Sequence, residues 1–144
     1  MGKKAAMQVV IIALVTALES LDRLTRQSAC VALGEMGTKA ATKEVIAALV
    51  ARLWDADDFV KGSACEALGQ MGENAATNDV IAALTIALGN ADNIVRSKAC
   101  EALGHMGEEA ETNDVIAALI IALKDSDNNV RRIATNCIVS PRFI

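Results

Sequence analysis

Aromatic residues, proline and any large excess of one charge are all scarce in this sequence of 144 residues. Only 2% of the residues are aromatic, tyrosine is absent, and there is a single proline. The net charge of −4 leaves no strongly basic surface, so we expect no nucleic-acid partner. No apolar run reaches the roughly 20 residues that a membrane-spanning helix needs, so we expect no membrane partner.

The N-terminal segment has the outline of a secretory signal, because Lys3 and Lys4 precede an apolar run over residues 9–15. No small-residue cleavage site follows this run cleanly. The run also matches later segments of the chain position by position. We therefore predict that it is the first helix of the fold.

The abundant residues, Ala, Leu, Ile and Val, are arranged in a repeat with a period of 35 residues. The sequence ACVALGEMG at 29–37 recurs as ACEALGQMG at 64–72 and as ACEALGHMG at 99–107. Repeats of this length stack into solenoids, because one repeat cannot bury its own apolar face. We predict one domain over residues 1–144, made of four repeats at approximately 5–39, 40–74, 75–109 and 110–144.

Each repeat is predicted to contain two helices. In the third repeat, Ile81, Leu84 and Leu88 lie on one helical face, and Thr77 is a plausible N-cap. A short turn follows, and a second helix is expected from about Asn93 to Met106, with Gly107 ending it. The corresponding core face of the fourth repeat is expected to be Ile116, Leu119, Ile120 and Leu123. The sequence thus predicts an all-α solenoid of eight helices without strands.

The repeated motif resembles the short HEAT-like repeat, of the type that is also found in phycobilin lyases. The tetratricopeptide and ankyrin signatures are absent. The resemblance covers about residues 8–138 and implies a right-handed superhelix whose second helices line the concave face. In the third repeat the matching residues are Asp92, Val95, Arg96, Ala99, Cys100, Ala102, Leu103, Gly104, Met106 and Gly107.

The first, second and fourth repeats depart from this motif. Thr25 and Lys61 replace the motif's Val and Arg in the first and second repeats, and the fourth repeat loses the Leu-Gly-x-Met-Gly ending. Pro141 is expected to end the last helix. The resemblance implies a protein-binding or scaffolding module without catalytic residues; the alternative is a bilin-handling protein of the lyase type or its subunit.

Cys30, Cys65 and Cys100 occupy the same position in successive repeats. Neighbouring helices pack 8–10 Å apart, whereas a disulfide needs Cα atoms within about 7 Å. No C-x-x-C spacing indicates a metal site. We expect buried, reduced cysteines, no cofactor and no metal, which fits a cytoplasmic protein.

Three further sets of recurring residues are interpreted as structural. Aspartates begin the second helices, and basic residues four positions later are expected to pair with them or with the neighbouring repeat. Mid-helix glycines are expected to permit close helix approach. The sets are Asp22, Asp57, Asp92 and Asp127; Arg26, Lys61, Arg96 and Arg131; and Gly34, Gly69 and Gly104.

Residues that vary between repeats are candidates for partner binding. Leu24, Phe59 and Ile94 are apolar at equivalent positions, and Trp54 lies five residues before Phe59. Aromatic residues beside a concave surface are typical binding anchors, although they can also pack the turn between two helices. The partner-binding set is completed by Glu66, Lys98 and Glu101.

A second apolar set points to self-association. Ile86 and Ile121 fall nearly opposite the core face of the first helices, and Ile12 lies on a neighbouring outer position. An apolar outer stripe is uncommon on a soluble monomer. The ends also carry apolar residues, namely Val9, Leu21, Phe143 and Ile144. We expect a homodimer through the N-terminal helix or this convex stripe.

Overall fold

The computed structural model describes residues 2–140, and this range contains eight α-helices and no strand. The predicted all-α solenoid of helix pairs is confirmed. Pro141, Phe143 and Ile144 lie outside the described residues. The helices are α1 Lys3–Ala17, α2 Arg23–Met36, α3 Lys43–Arg52, α4 Asp58–Met71, α5 Asn78–Ala87, α6 Asn93–Gly104, α7 Asn113–Ala122 and α8 Asn128–Ile138.

Side-chain oxygens begin these helices at the predicted positions. Thr77 accepts a hydrogen bond from the backbone N–H of Val80, and Asp92 accepts from those of Ile94 and Val95. Both arrangements satisfy N–H groups that the first helical turn leaves unpaired. The equivalent threonines and aspartates cap five further helices in the same way, namely Thr42, Thr112, Asp22, Asp57 and Asp127. Helix α1 has no side-chain cap at Gly2.

Each of the first three second helices is followed by a 3-10 turn that begins at a glycine. The turns span Gly37–Ala40, Gly72–Ala75 and Gly107–Ala110. The three glycines have φ angles of +58°, +59° and +76°. Other L-residues rarely adopt such angles, so these glycines redirect the chain. Gly37 and Gly72 also end α2 and α4 directly, as predicted. The expectation that Gly107 ends α6 is wrong, because α6 already ends at Gly104, and the 3-10 turns were not predicted.

The helices form two layers that pack with unequal closeness. Helices α2, α4, α6 and α8, here called the inner layer, pack directly on one another along the stack. Helices α1, α3, α5 and α7, the outer layer, pack mainly on the inner layer and touch one another little. The buried core lies between the two layers and runs along the described chain as one cluster.

Glycine facing alanine sets the distance between inner-layer helices. A Cβ atom placed on Gly34 would lie 2.8 Å from Cα of Ala67, and one on Gly69 would lie 3.0 Å from Cα of Ala102. The first distance is shorter than real Cβ contacts show, and the second is tighter than nine in ten of them. The predicted close approach is therefore confirmed, and α2, α4 and α6 pack through backbone rather than through side chains.

An arginine on one inner helix binds an aspartate of the next repeat. Arg26 donates through Nε and Nη2 to the two carboxylate oxygens of Asp55, at 2.9 and 3.0 Å. Arg96 makes the same two bonds with Asp125, at 2.8 and 2.9 Å. The predicted pairing with a neighbouring repeat is found, but its acidic partners precede the capping aspartates by two residues. The capping aspartates already use their oxygens on backbone N–H groups.

The junction between the second and third repeats lacks this paired arrangement. Lys61 and Asn90 occupy the positions of the arginine and the aspartate, and Lys61 pairs with Asp58 at 3.5 Å instead. Asn90 retains the backbone role of the aspartates, because its Oδ1 accepts from the N–H of Asp92 at 2.8 Å. Two of the three junctions are thus held by the arginine–aspartate pair.

The arginines keep their aspartate partners ionised. The hydrogen bond from Arg96 lowers the pKa of Asp125, and partial burial opposes this effect only in part. Burial alone would raise the pKa of Asp55, but hydrogen bonds from Arg26 and a backbone N–H bring it below its ordinary value. A carboxyl group with a lowered pKa stabilises the fold at neutral pH, and this contribution is lost as the pH falls through that pKa.

Ile120 does not belong to the core, contrary to the sequence-based expectation. Its side chain is 50% exposed, whereas Val50 and Thr85 at the same position of earlier repeats are half-buried. Those two residues face the first helix of the following repeat. No described residue follows α8 to cover Ile120 in this way.

Replacing Gly69 by alanine should destabilise the fold by about 1–3 kcal/mol, because the added methyl group overlaps the backbone of α6. Gly62 on the same helix is the matched control, since a Cβ there meets only side-chain atoms at 3.8 and 3.9 Å. Gly62→Ala should stabilise by about 0.5–1 kcal/mol through helix propensity. Urea unfolding measures both; equal effects would show that α4 and α6 do not pack through Gly69.

The combined change Lys61→Arg and Asn90→Asp should raise the free energy of unfolding by roughly 1 kcal/mol, because it supplies the missing arginine–aspartate pair between the second and third repeats. Each single change should give less than half of this gain. A double-mutant cycle by thermal unfolding measures the coupling free energy between positions 61 and 90. Loss of this coupling below pH 4 would identify the carboxylate as its source. Strict additivity of the two changes would contradict the assigned geometry.

Candidate partner-binding surface

Three large apolar side chains project from the first turns of successive inner helices. Leu24, Phe59 and Ile94 are 62%, 61% and 48% exposed. The backbone beneath them is fixed, because the N–H groups of Phe59 and Ile94 each donate to a capping aspartate at 2.9 Å. A rigid helix start therefore holds each apolar group in solvent. The fourth repeat ends this apolar column with Asn129.

The structure brings Leu24 and Phe59 together in a shallow groove between α2 and α4, with a volume of about 280 Å³. The groove is also lined by Arg23, Gln27 and Asp57. Arg23 donates to a carboxylate oxygen of Asp57 at 3.2 Å across the two repeats. An apolar pair is thus bordered by a polar, hydrogen-bonded edge, as binding sites on protein surfaces commonly are.

Trp54 lies in the turn between α3 and α4 and is 58% exposed. It is not among the residues that line the groove of Leu24 and Phe59. The exposure of Trp54 and Phe59 shows that neither side chain is packed into the turn between the helices. Their contact with a partner stays a prediction.

Two of the predicted partner-binding residues form an ion pair with each other. Lys98 on α6 and Glu66 on α4 form an ion pair with an N–O distance of 3.0 Å. Their side chains are 33% and 45% exposed, so the pair is screened by water and contributes little to stability. The ion pair places one positive and one negative charge beside the apolar column.

A second cleft, of about 340 Å³, opens between α6 and α8. It is lined by charged and polar side chains that include Glu101, His105, Arg132 and Asn136. Sequence reasoning placed Glu101 among the candidate partner-binding residues but did not predict a cleft.

The cleft has two local causes. Helix α6 ends at Gly104, whereas α2 and α4 continue to Met36 and Met71, which correspond to Met106. In addition, Cys137 takes the position of Ala67 and Ala102 and faces Gly104. A larger side chain at this contact holds the two helices further apart. The sequence already indicated this change, because Cys137 occupies the repeat position of Ala67 and Ala102 and not the repeat position of Cys65 and Cys100.

The residues predicted for self-association lie on the outer layer and are exposed. Ile12, Ile86 and Ile121 are 64%, 59% and 73% exposed. Ile12 borders a groove of about 360 Å³ between α1 and α3, and Ile86 borders one of about 400 Å³ between α5 and α7. The structure does not bring the three residues into one site.

The cysteine column is buried, as predicted. Cys30, Cys65 and Cys100 each have 0% of their surface exposed and form no disulfide. Burial raises the pKa values of Cys30 and Cys65 to about 12. A hydrogen bond with Cys137, and then burial, raises the pKa of Cys100. Among residues 2–140 no cluster of His, Cys, Asp and Glu could hold a metal ion.

The two helices per repeat, the glycine-alanine contacts and the capping aspartates match a known sequence family. A family model of HEAT repeats matches residues 11–85 and 81–140. The chain belongs to the HEAT repeat family. The match does not extend to the phycobilin-lyase type within it. A search of curated proteins finds no significant match.

Several solved structures are similar to this chain. An engineered protein is 23% identical over 89% of the chain and 60% of its own, with a TM-score of 0.75. A second engineered protein is 28% identical, with coverage of 89% and 62% and a TM-score of 0.70. Human deoxyhypusine hydroxylase, solved with glycerol, is 23% identical over 92% of this chain and 43% of its own, with a TM-score of 0.67.

These similarities support the fold and assign no activity. The chain spans about three fifths of the length of the first two engineered proteins. At 23% identity, the likeness to the hydroxylase concerns the fold alone. Within residues 2–140 no helix is both long and apolar enough to cross a membrane.

Cys65 and Cys100 should react with a thiol reagent at least about 100-fold more slowly than an exposed cysteine, because only opening of the inner layer exposes them as thiolates. Thr135→Cys is the matched control: Thr135 holds the cysteine position of the fourth repeat and is exposed. Peptide mass spectrometry after timed labelling gives each rate. Rapid labelling of Cys65 in the folded protein would contradict the packing described.

Proposed function

We propose that this chain is a protein-binding scaffold and that its partner lies along the surface of the inner layer. The observation that carries the proposal is the column of Leu24, Phe59 and Ile94, which is exposed and held on fixed helix starts. Trp54 adds a second aromatic group beside Phe59. Large apolar side chains that are ordered before binding lose little entropy on association, which makes them efficient anchors.

The closer packing of the inner helices supports the placement on a concave side. In a stack whose inner helices approach each other more closely than the outer ones, the stack bends toward the inner layer. An elongated partner can then contact several repeats at once. The ion pair of Glu66 with Lys98, together with Glu101, supplies a polar border of mixed charge.

The repeat spacing limits the partner's sequence. Packed helices are about 8–10 Å apart, so anchors from successive repeats have a similar spacing. An extended segment matches it with apolar residues at i and i+3, at about 3.3 Å per residue. A helix matches it with apolar residues at i and i+7, at about 1.5 Å per residue. The partner's segment is expected to show one of these two patterns.

The proposal assigns no catalytic residue and no cofactor. A bilin-handling role remains the alternative, tested by visible absorbance after mixing the chain with bilins. No contact or cleft described above favours it over a protein partner. The inner-layer anchors are solvent-exposed, which suits an interface with a macromolecule better than enclosure of a pigment.

Self-association is proposed as a second property of the scaffold. Its support is the exposure of Ile12, Ile86 and Ile121 on the outer layer, away from the inner anchors. Because the two surfaces are on different layers, a dimer would leave the inner layer accessible. The proposed self-association does not depend on which protein the inner layer binds.

Phe59→Ser should weaken partner binding by roughly tenfold or more, as expected for the loss of a central aromatic anchor. Ile86→Ser is the matched control, because Ile86 is exposed to nearly the same degree, 59% against 61%, but lies on the outer layer. Each protein is immobilised, and the proteins retained from a lysate are quantified by mass spectrometry.

The lysate proteins that the wild type and the Ile86→Ser control retain, but the Phe59→Ser variant does not, are then titrated against each of the three proteins by calorimetry. Equal retention by all three proteins would contradict binding at the inner layer. Loss of binding in the Ile86→Ser variant alone would move the partner site to the outer layer.

A further inference from the structure

The N-terminal end of the solenoid exposes apolar residues that every later repeat buries. Val10 is 49% exposed. Leu14 is only half-buried. The residues at these two positions of the later repeats are 0–1% exposed, namely Val45, Val80 and Val115, and Leu49, Leu84 and Leu119. In those repeats the preceding repeat provides the cover. No described residue covers Val10.

The exposed side of α1 is a continuous apolar face without charge. Ala6, Val10, Ala13 and Ala17 follow one another at spacings of three and four residues, which places them on one line of the helix. No charged residue occurs over residues 5–18. The other outer helices carry Glu44, Asp79 or Asp114 in their first turns. Covering α1 therefore costs no desolvation of a charge.

The opposite end of the stack cannot supply the cover in the geometry of the internal junctions. Each of those junctions places a glycine of one inner helix against the next one, as at Gly34, where an added Cβ would lie only 2.8 Å from Cα of Ala67. At the C-terminal end, Val139 stands in the glycine position and is 58% exposed. Its side chain would collide with an approaching inner helix. Head-to-tail stacking of copies is thereby blocked.

Charges beyond the two ends of α1 favour an antiparallel arrangement of two such helices. Lys3 and Lys4 lie at its beginning, while Glu19 and Asp22 follow its end. When two copies of α1 are antiparallel, the positive end of each lies beside the negative end of the other. A parallel pair would place like charges together. Antiparallel pairing is also the arrangement that a two-fold axis across the helix produces.

We propose that two copies of this chain form a dimer in which the Ala6–Val10–Ala13 face of α1 packs antiparallel on the same face of the partner copy. The inference rests on the self-association proposed above and specifies its surface. The dimer closes on itself, since both N-terminal ends are consumed and Val139 prevents growth at the other ends. It leaves the inner-layer anchors of both copies free, so one dimer presents two equivalent partner surfaces.

Sedimentation equilibrium over a nanomolar-to-micromolar concentration series tests the interface with three variants. Val10→Glu and Ala13→Glu should each weaken the dimer by about tenfold or more, because each buries a charge at the contact. Ile120→Glu is the control, since Ile120 is exposed to nearly the same degree as Val10, 50% against 49%, but lies on α7. It should leave the dimerisation constant unchanged. A fourth variant, Ile121→Glu, tests the outer stripe instead. Far-ultraviolet circular dichroism verifies that each variant keeps its helix content.

The outcomes separate this interface from self-association in general. A dimer that Ile121→Glu dissociates, and that Val10→Glu and Ala13→Glu leave intact, would overturn the α1 interface while retaining self-association. A wild type that is monomeric at every concentration would overturn both.

A charge exchange tests the antiparallel orientation. Lys4→Glu and Glu19→Lys should each weaken the dimer, because each places like charges at the ends of the helix pair. The double variant should recover most of the wild-type affinity at low salt. If it dimerises more weakly than either single variant, the antiparallel orientation is wrong.

Discussion

The contact between a glycine of one inner helix and an alanine of the next determines the geometry of this molecule. At Gly34 and Gly69 the helices meet at backbone distance, so the spacing between repeats is set by the smallest side chains available. Such close contact on the inner side, with looser contact on the outer side, bends the stack. The curvature of the stack thus follows from two residue types at two fixed positions of the repeat.

The remaining features of the stack depend on how well each junction keeps that contact. Where the alanine is replaced by Cys137, α6 and α8 separate and a cleft opens that is lined by Glu101 and His105. Where the arginine and aspartate are replaced by Lys61 and Asn90, the helices still meet through Gly69, but the arginine–aspartate pair between repeats is missing. The first difference changes the shape of the surface; the second changes only the stability of a junction.

The period of 35 residues was sufficient to predict the helix pairs, their caps and the role of the glycines, because these are local or repeat with the sequence. The acidic partners of Arg26 and Arg96 were not predicted, although Asp55 and Asp125 share a position. Their column is broken by Ser20 and Asn90, so it does not show as a recurring residue. Which aspartate an arginine reaches depends on the tilt between repeats, and this is not a local property.

The sequence predicted which side chains of the candidate surface vary, but not which of them are available. Glu66 and Lys98 were both predicted to be available to a partner. The packing of α4 against α6 instead brings their charged groups within 3.0 Å of each other. Ile120 was assigned to the core from its place on the helical wheel, but only Val50 and Thr85, at the same position of earlier repeats, have a following repeat that covers them. In both cases the deciding fact is the presence of a neighbouring repeat, which a helical wheel drawn for one repeat does not contain.

The two ends of the stack differ for the same reason. A repeat inside the array is covered on both sides, so its end-facing positions can all be apolar. At the C-terminal end, α8 replaces the buried cysteine by Thr135 and the glycine by Val139, and so it is unsuited to receive a further helix. At the N-terminal end, Thr25 replaces a buried valine, while Val10, Ala13 and Leu14 on α1 are identical to the residues of the internal repeats. The first repeat thus retains the face of an internal repeat, whereas the last repeat has lost the glycine of the internal junctions. The asymmetry of the stack therefore lies in a few positions of its first and last repeats.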